Sequence, residues 1–236
     1  MGLGLDRARR GERGLSGTVG RWFLLSALGG ISLYVLRATQ FGVIFTDWTR
    51  AIPEAIVLAL PGYAAIIAMA APSIPISAIL VRERVGPRAL ALAALAAAGV
   101  GVALFGVSLV ASLYAMWKSY VGPFGLDAPR WQPLISDDAT IAVSTLGPAF
   151  MGAWLALTSL QLTAMSVSRV LALFGLVTGL AIVAVMPYLG DRTVYDRVLP
   201  VVFLAAQTWS AVVGLSLLRG RAATSSAPIP AKSAKV

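Results

Sequence analysis

Long apolar stretches separated by short polar segments dominate this chain. The longest covers residues 52–81, holds one charged side chain, Glu54, and stops just before Arg82. At about 1.5 Å per residue, a helix of this length exceeds the ~30 Å hydrocarbon core of a membrane. Five similar stretches accompany it. The pattern therefore predicts six membrane-spanning helices, over residues 22–45, 52–81, 89–116, 139–164, 170–188 and 198–218.

Composition supports a membrane protein. Hydrophobic residues make up 58% of the chain and charged residues only 12%, about half the share that is usual in soluble domains. We predict an all-α, polytopic transmembrane bundle over residues 22–218, with both termini cytoplasmic. A basic N-terminal segment, 1–21, precedes it, and a disordered cytoplasmic tail, 219–236, follows it. No stretch is left for a further domain.

Positive charge predicts the orientation. With six spans, the two termini share one side with the loops after spans two and four, and this side collects most of the Lys and Arg residues. The positive-inside rule then places it in the cytoplasm. The net charge of +9 follows from this orientation, and we expect no nucleic-acid partner. The Ala- and Arg-rich composition indicates a GC-rich bacterium, so we predict a multi-pass protein of the bacterial inner (plasma) membrane. We expect membrane lipids as partners, with a homo-oligomer or a partner membrane protein as further options.

The chain has no His and no Cys. This removes imidazole and thiolate ligands for metals, haem or iron–sulfur clusters, every disulfide, and catalysis by either side chain. The catalytic motifs of P-loop enzymes, serine hydrolases and zinc proteases are missing as well. We therefore predict no cofactor and no metal, and favour a non-enzymatic protein.

The first candidate site is a cluster of ionic and polar residues near the predicted outer leaflet. An ionisable residue inside a span is costly and is by default a functional candidate. Arg37 is such a residue, with Glu54 or Asp47 as its partner. The alternative is that Arg37 extends outward to water and Glu54 only caps its helix. We predict a substrate-binding role for Arg37, Gln40, Asp47, Arg50, Glu54 and, near the middle of span six, Gln207.

The second candidate feature is a set of helix kinks. Proline removes a backbone donor, and in a membrane the freed carbonyl must find another partner. Broken helices form binding sites in transporters, but a bent packing helix is the simpler alternative. We predict kinks at Pro61, Pro72, Pro75 and Pro148.

Uncharged polar and small residues form a third group. They can line a solvated path, but more often they bond neighbouring helices or allow close helix contact. We favour packing for the glycines Gly99, Gly101, Gly106, Gly175 and Gly179. The polar members of the group are Gln207, Thr208, Ser144, Thr145, Thr158, Ser159 and Gln161.

Two segments carry a resemblance to a known family. A Met-Gly-Ala-Trp-Leu segment at 151–155 leads through Arg169 to Gly175 and Gly179, and Gly-Leu-Ser-Leu-Leu-Arg at 214–219 closes the last span. This order resembles a family of uncharacterised bacterial six-helix membrane proteins, mainly over the last ninety residues. The resemblance implies the six-helix fold and no activity, cofactor or catalytic residue.

Two classes of function stay open. The first is a non-enzymatic membrane protein that either moves a small solute or assists other membrane proteins. The second is a membrane-embedded enzyme acting on lipid at the outer leaflet, for which Arg37, Asp47, Arg50 and Glu54 would have to face a common cavity.

Overall fold

The computed structural model describes residues 15–35, 64–121, 137–165, 167–188 and 194–225. Within these ranges the chain is helical apart from short turns, and no strand occurs. We label the helices α1 (Leu15–Val35), α2 (64–70), α3 (Ser73–Arg82), α4 (Arg88–Val121), α5 (Asp137–Leu162), α6 (Arg169–Val185) and α7 (Leu199–Ser225). Short 3-10 turns cover Thr163–Met165 and Met186–Tyr188, and a π-helical turn, Val194–Val198, precedes α7.

Among the described residues, five helical stretches are long and apolar enough to cross a membrane. They are Leu15–Val35, Ala64–Arg82, Arg88–Val110, Arg169–Tyr188 and Leu199–Arg219. The predicted all-helical fold is thus confirmed for the described part of the chain, and the length and composition of these helices agree with a membrane protein. Helix α5 packs between α4 and α6 and buries Thr158, Ser159 and Gln161.

Several helices extend beyond the predicted spans. α1 begins at Leu15 rather than residue 22, α4 continues to Val121, and α7 continues to Ser225, into the segment predicted as a disordered tail. The start of α1 shows the reason. Val19 is fully buried while Arg21 is exposed, so this turn is amphipathic. A purely apolar run marks only the part of a helix that lipid surrounds.

The helix pairs α1/α7 and α5/α6 run antiparallel. Gly20 near the start of α1 lies against Gly214 near the end of α7, and Gly152 of α5 lies against Gly179 of α6. Gly86, in the turn after α3, lies against Gln161 near the end of α5. The start of α1, the end of α7 and the turns 83–87 and 163–165 therefore share one end of the bundle.

We call this the basic end. Its exposed arginines are Arg21, Arg82, Arg84, Arg88, Arg169 and Arg219, and Glu83 is the acidic side chain described there. At the opposite end, Arg197 is exposed. Within the described chain, exposed arginines are therefore concentrated at one end of the bundle.

Candidate functional site in the bundle interior

Six of the residues predicted as site or kink residues fall in segment 36–63, which lies outside the described residues. They are Arg37, Gln40, Asp47, Arg50, Glu54 and Pro61. Their roles stay predictions. Gln207, Pro72, Pro75 and Pro148 belong to the described chain.

Pro72 lies in the two-residue turn that separates α2 from α3. It has no N–H to continue the helical bonding, so carbonyl groups before it need other partners. Ser26 Oγ of α1 donates to the Met69 carbonyl at 2.7 Å, and Ser73 Oγ donates to the Ala70 carbonyl at 2.7 Å. Two buried serine hydroxyls thus supply hydrogen bonds to backbone carbonyls at the break in the helix, and one of these serines belongs to a neighbouring helix.

The other two described prolines leave their helices continuous. Pro75 stands in the first turn of α3, where a missing N–H matters little, and the Ala71 carbonyl accepts from the Ile74 N–H at 3.2 Å. Pro148 lies inside α5, which continues through it to Leu162.

Three aromatic rings form the centre of the bundle, which we call the aromatic layer. Phe23 of α1 stacks on Trp154 of α5, with ring centroids 6.3 Å apart, and meets Trp209 of α7 edge-on at 5.4 Å. Both indole N–H groups are paired: Trp154 Nε1 donates to Ser77 Oγ at 2.9 Å, and Trp209 Nε1 donates to the Leu171 carbonyl at 2.8 Å. The layer joins α1, α3, α5, α6 and α7 with every indole donor satisfied.

Gly175 allows this arrangement. A methyl group added there would collide with Ser159 Oγ and with the Trp209 ring. Gly179, one turn further along α6, lies against Gly152 and Ala156 of α5. The predicted packing role of the Gly175-x-x-x-Gly179 motif is confirmed.

Among the described residues, the predicted packing contact is not found for Gly99 and Gly106. A methyl group at either would meet no described atom within 4 Å, whereas Gly101 does lie against Met151. The reason is helical phase: Gly99 and Gly106 lie on the exposed face of α4, together with Ala96 and Ala103.

Gln207 lies between α7 and α1, with its amide directly over the backbone of Gly30, where any larger residue would collide with it. It is 7% exposed, and its Oε1 has no hydrogen-bond partner within the part of the chain that the structure describes. The neighbouring Thr208 is exposed and donates to the Leu204 carbonyl of its own helix at 2.9 Å. Of the two residues singled out near the middle of this span, only Gln207 is buried.

A second unpaired amide lies near the end of α5. Gln161 is 1% exposed, and neither its Nε2 nor its Oε1 has a hydrogen-bond partner among the described residues. Thr158 is fully buried one turn earlier, and its Oγ1 is unpaired as well. By contrast, Ser159 donates to the Leu155 carbonyl at 2.7 Å. Residues three apart share a helix face, and this spacing was the sequence signal that could have placed Thr158 and Gln161 together in a site.

The two amides lie on opposite sides of the aromatic layer. Gln207 meets Gly30, seven residues from Phe23 toward the opposite end of the bundle. Gln161 is seven residues from Trp154 toward the basic end. Along α7, Gln207 is two residues from Trp209, the ring of the layer that belongs to the same helix.

Hydrogen bonding to a neutral polar molecule is the chemistry these groups can provide. A primary amide offers two donors and an acceptor, and a hydroxyl offers one donor and two lone pairs. Among the described residues no group of three or more His, Cys, Asp or Glu could hold a metal ion. The ionisable side chains described all lie toward the two ends of the bundle.

No protein-family model, curated protein or solved structure matches this chain. The resemblance to a family of uncharacterised six-helix membrane proteins therefore stays a prediction. The candidate site rests on its geometry.

Proposed function

We propose that this chain crosses a bacterial inner membrane six times, with both termini in the cytoplasm, and acts without catalysing a reaction. Its role would be to move a small solute, which is held by uncharged hydrogen-bonding groups inside the bundle. The antiparallel helices and the basic end support the orientation.

Gln161 carries the solute proposal. A buried amide without partners costs about 1–3 kcal/mol per unsatisfied group. The chain nevertheless keeps this amide and the adjacent Thr158 hydroxyl unpaired and away from solvent. A molecule that pairs with both would remove the penalty.

The chemistry of the site indicates the class of solute. The unpaired atoms include both donors and acceptors and carry no formal charge. We therefore expect a small neutral molecule that itself both donates and accepts, such as an amide, a urea or a polyol. Gln207, on the other side of the aromatic layer, offers the solute a second hydrogen-bonding position along its path through the bundle.

Ligand-dependent stabilisation in detergent tests the proposal. We expect wild-type protein to gain thermal stability with at least one member of a panel of neutral amides, ureas and polyols, because a ligand that binds only the folded state stabilises it. Q161M should lose this gain. Thr208→Val, which changes an exposed polar group bonded within its own helix, is the matched control and should keep it. If no neutral solute stabilises the wild type, or if Q161M responds equally, the solute role is wrong.

The absence of cysteine makes the orientation easy to test. Single-cysteine variants G4C and S233C should resist a membrane-impermeant maleimide in intact cells and react after lysis. S136C, in the predicted loop on the other side, should react in intact cells. Labelling of either terminal cysteine in intact cells would exclude the proposed topology.

A second candidate function is assistance to other membrane proteins, and the exposed face of α4 favours it. Ala96, Gly99, Ala103 and Gly106 line that face at alternating spacings of three and four residues. Small residues at such positions let another helix approach closely. Co-purification of a partner from its own membrane by wild type, but not by Gly99→Leu/Gly106→Leu, would support this role.

The lipid-enzyme alternative depends on Arg37, Asp47, Arg50 and Glu54, all of which lie outside the described residues. No observation of the described chain favours it.

A further inference from the structure

The turn between α3 and α4 has a well-defined backbone. Arg84 N–H donates to the Val81 carbonyl at 3.2 Å, and Val85 N–H donates to the Leu80 carbonyl at 2.9 Å. Leu80 is fully buried and Val85 packs partly buried against the same core. These two bonds and the apolar contact define a Schellman ending of α3.

Arg84 occupies the position of this motif that usually belongs to glycine. Its φ is 55°, and it is the one non-glycine residue with positive φ in the described chain. An L-residue pays a steric penalty in this left-handed conformation that glycine avoids. Backbone stability alone therefore favours glycine at position 84.

Two further arginines stand where local electrostatics disfavour them. Arg88 is the first residue of α4, and Arg169 is the first residue of α6. The start of a helix carries partial positive charge, so a cation there is unfavourable. Three arginines at one end of the bundle are thus locally unfavourable: Arg84 through its left-handed backbone, and Arg88 and Arg169 through the positive end of the helix dipole.

The side chains of these arginines are open to the surroundings. Arg82, Arg84, Arg88 and Arg169 are all exposed, and the salt bridge described at this end is the exposed Arg82–Glu83 pair at 3.6 Å. Such an exposed pair contributes little and leaves the arginines available. The turn also lies directly between two stretches able to cross a membrane, Ala64–Arg82 and Arg88–Val110. It is therefore at the level of the lipid headgroups.

We propose that the 82–88 turn, together with Arg169, is a docking surface for the phosphate groups of anionic phospholipids. The guanidinium group pairs with phosphate through parallel hydrogen bonds. A bilayer supplies anionic phosphates at the depth of this turn, and a basic residue near such a surface gains affinity of about fivefold.

Native mass spectrometry of the full chain in a neutral detergent tests this docking surface. Wild type is titrated with phosphatidylglycerol and with phosphatidylcholine of the same acyl chains. We expect wild type to bind phosphatidylglycerol more tightly. The variant R82Q/R84Q/R88Q should lose about tenfold or more of this affinity. Arg197→Gln, which removes an exposed arginine at the opposite end, is the matched control and should bind as wild type does.

A second pair of variants distinguishes a loss of lipid binding from a loss of folding. R84G should raise the melting temperature by about 2–4 °C, because it relieves the left-handed strain, and should weaken phosphatidylglycerol binding about fivefold. R84K keeps the charge and the strain, and should match wild type in melting temperature and lose much less affinity. A rise in stability with a loss of binding cannot come from unfolding.

Three results would overturn the proposal. The first is equal binding of the two lipids by wild type. The second is unchanged selectivity in the triple variant, which would mean that the arginines act only during membrane insertion. The third is displacement of bound lipid by soluble glycerol phosphate at equal concentration, which would make the surface a site for a soluble anion.

Discussion

The aromatic layer and the two amide side chains beside it, Gln161 and Gln207, are all buried. They differ in whether their polar atoms have hydrogen-bond partners. In the layer, the indole N–H groups of Trp154 and Trp209 each have a partner below 3 Å. Beside it, Gln161 has two unpaired amide atoms and Gln207 has one. The same bundle interior therefore contains a fully bonded centre and unbonded flanks.

This difference separates polar groups that hold the bundle together from polar groups that do not. A buried hydrogen bond between helices contributes about 0.6 kcal/mol on average and up to about 1.7 kcal/mol. An unpaired buried group lowers stability by about 1–3 kcal/mol. Substitutions in the two regions should therefore change stability in opposite directions.

The largest loss of stability should follow truncation of Trp209, because this residue belongs to the hydrogen-bonded aromatic layer. W209A removes the edge-on contact with Phe23 and the bond to the Leu171 carbonyl. Truncating a fully buried tryptophan costs about 3–5 kcal/mol, measured as the free energy of unfolding in detergent. Phe174→Ala, an aromatic truncation on an exposed part of α6, should cost far less. Equal losses for the two variants would mean that the aromatic layer is not the centre of the fold.

The next largest loss of stability should follow substitution of Gly175, which lies beside the Trp209 ring. G175A places a methyl group against Ser159 Oγ and the Trp209 ring, and overpacking of this kind costs about 1–3 kcal/mol. G99A makes the same chemical change where the added methyl group meets nothing. It should leave stability unchanged or raise it, because alanine favours the helix. The two variants are compared by thermal unfolding under one set of conditions, and a loss in G99A as large as that in G175A would contradict the packing of α6 against α5 and α7.

Much of the fold followed from the sequence because membrane physics leaves few options. A stretch of about twenty apolar residues in a membrane must form a helix, so the helices containing residues 89–110, 170–188 and 199–218 were predictable. The start of α1 was not. There Val19 is buried beside exposed Arg21, and an amphipathic turn does not stand out in a search for apolar runs.

The interior was only partly predictable. Composition identified Gln207, Thr158 and Gln161 as polar residues within spans, and Gly175 and Gly179 as contact residues. It could not distinguish Ser159, which bonds to its own helix, from Thr158, which does not. Nor could it show that Gly99 and Gly106 lie on an exposed face, since helix phase relative to neighbours depends on packing.

The opposite change in stability is expected at Gln161, where the buried amide has no partner. Q161M replaces the unpaired amide with an apolar side chain of similar length. In detergent without solute it should raise the free energy of unfolding by about 1–2 kcal/mol, because the desolvation penalty disappears. Chemical or thermal unfolding measures this change. A loss of more than about 1 kcal/mol would instead mean that folded protein already satisfies the amide.

The smallest effect should appear at the Pro72 turn, where a bonded polar group lies away from the aromatic layer. S26A removes the hydroxyl that donates to the Met69 carbonyl at 2.7 Å. The carbonyl then lies buried beside a break in the helix, so we expect a loss of about 1 kcal/mol, measured by unfolding in detergent. Ser216→Ala removes an exposed hydroxyl on α7 and should leave stability unchanged. If S26A were neutral or stabilising, Ser26 would belong with Gln161 among groups that do not stabilise the fold. The proposed division between a bonded centre and unbonded flanks would then fail at the one kink where the bonding is described.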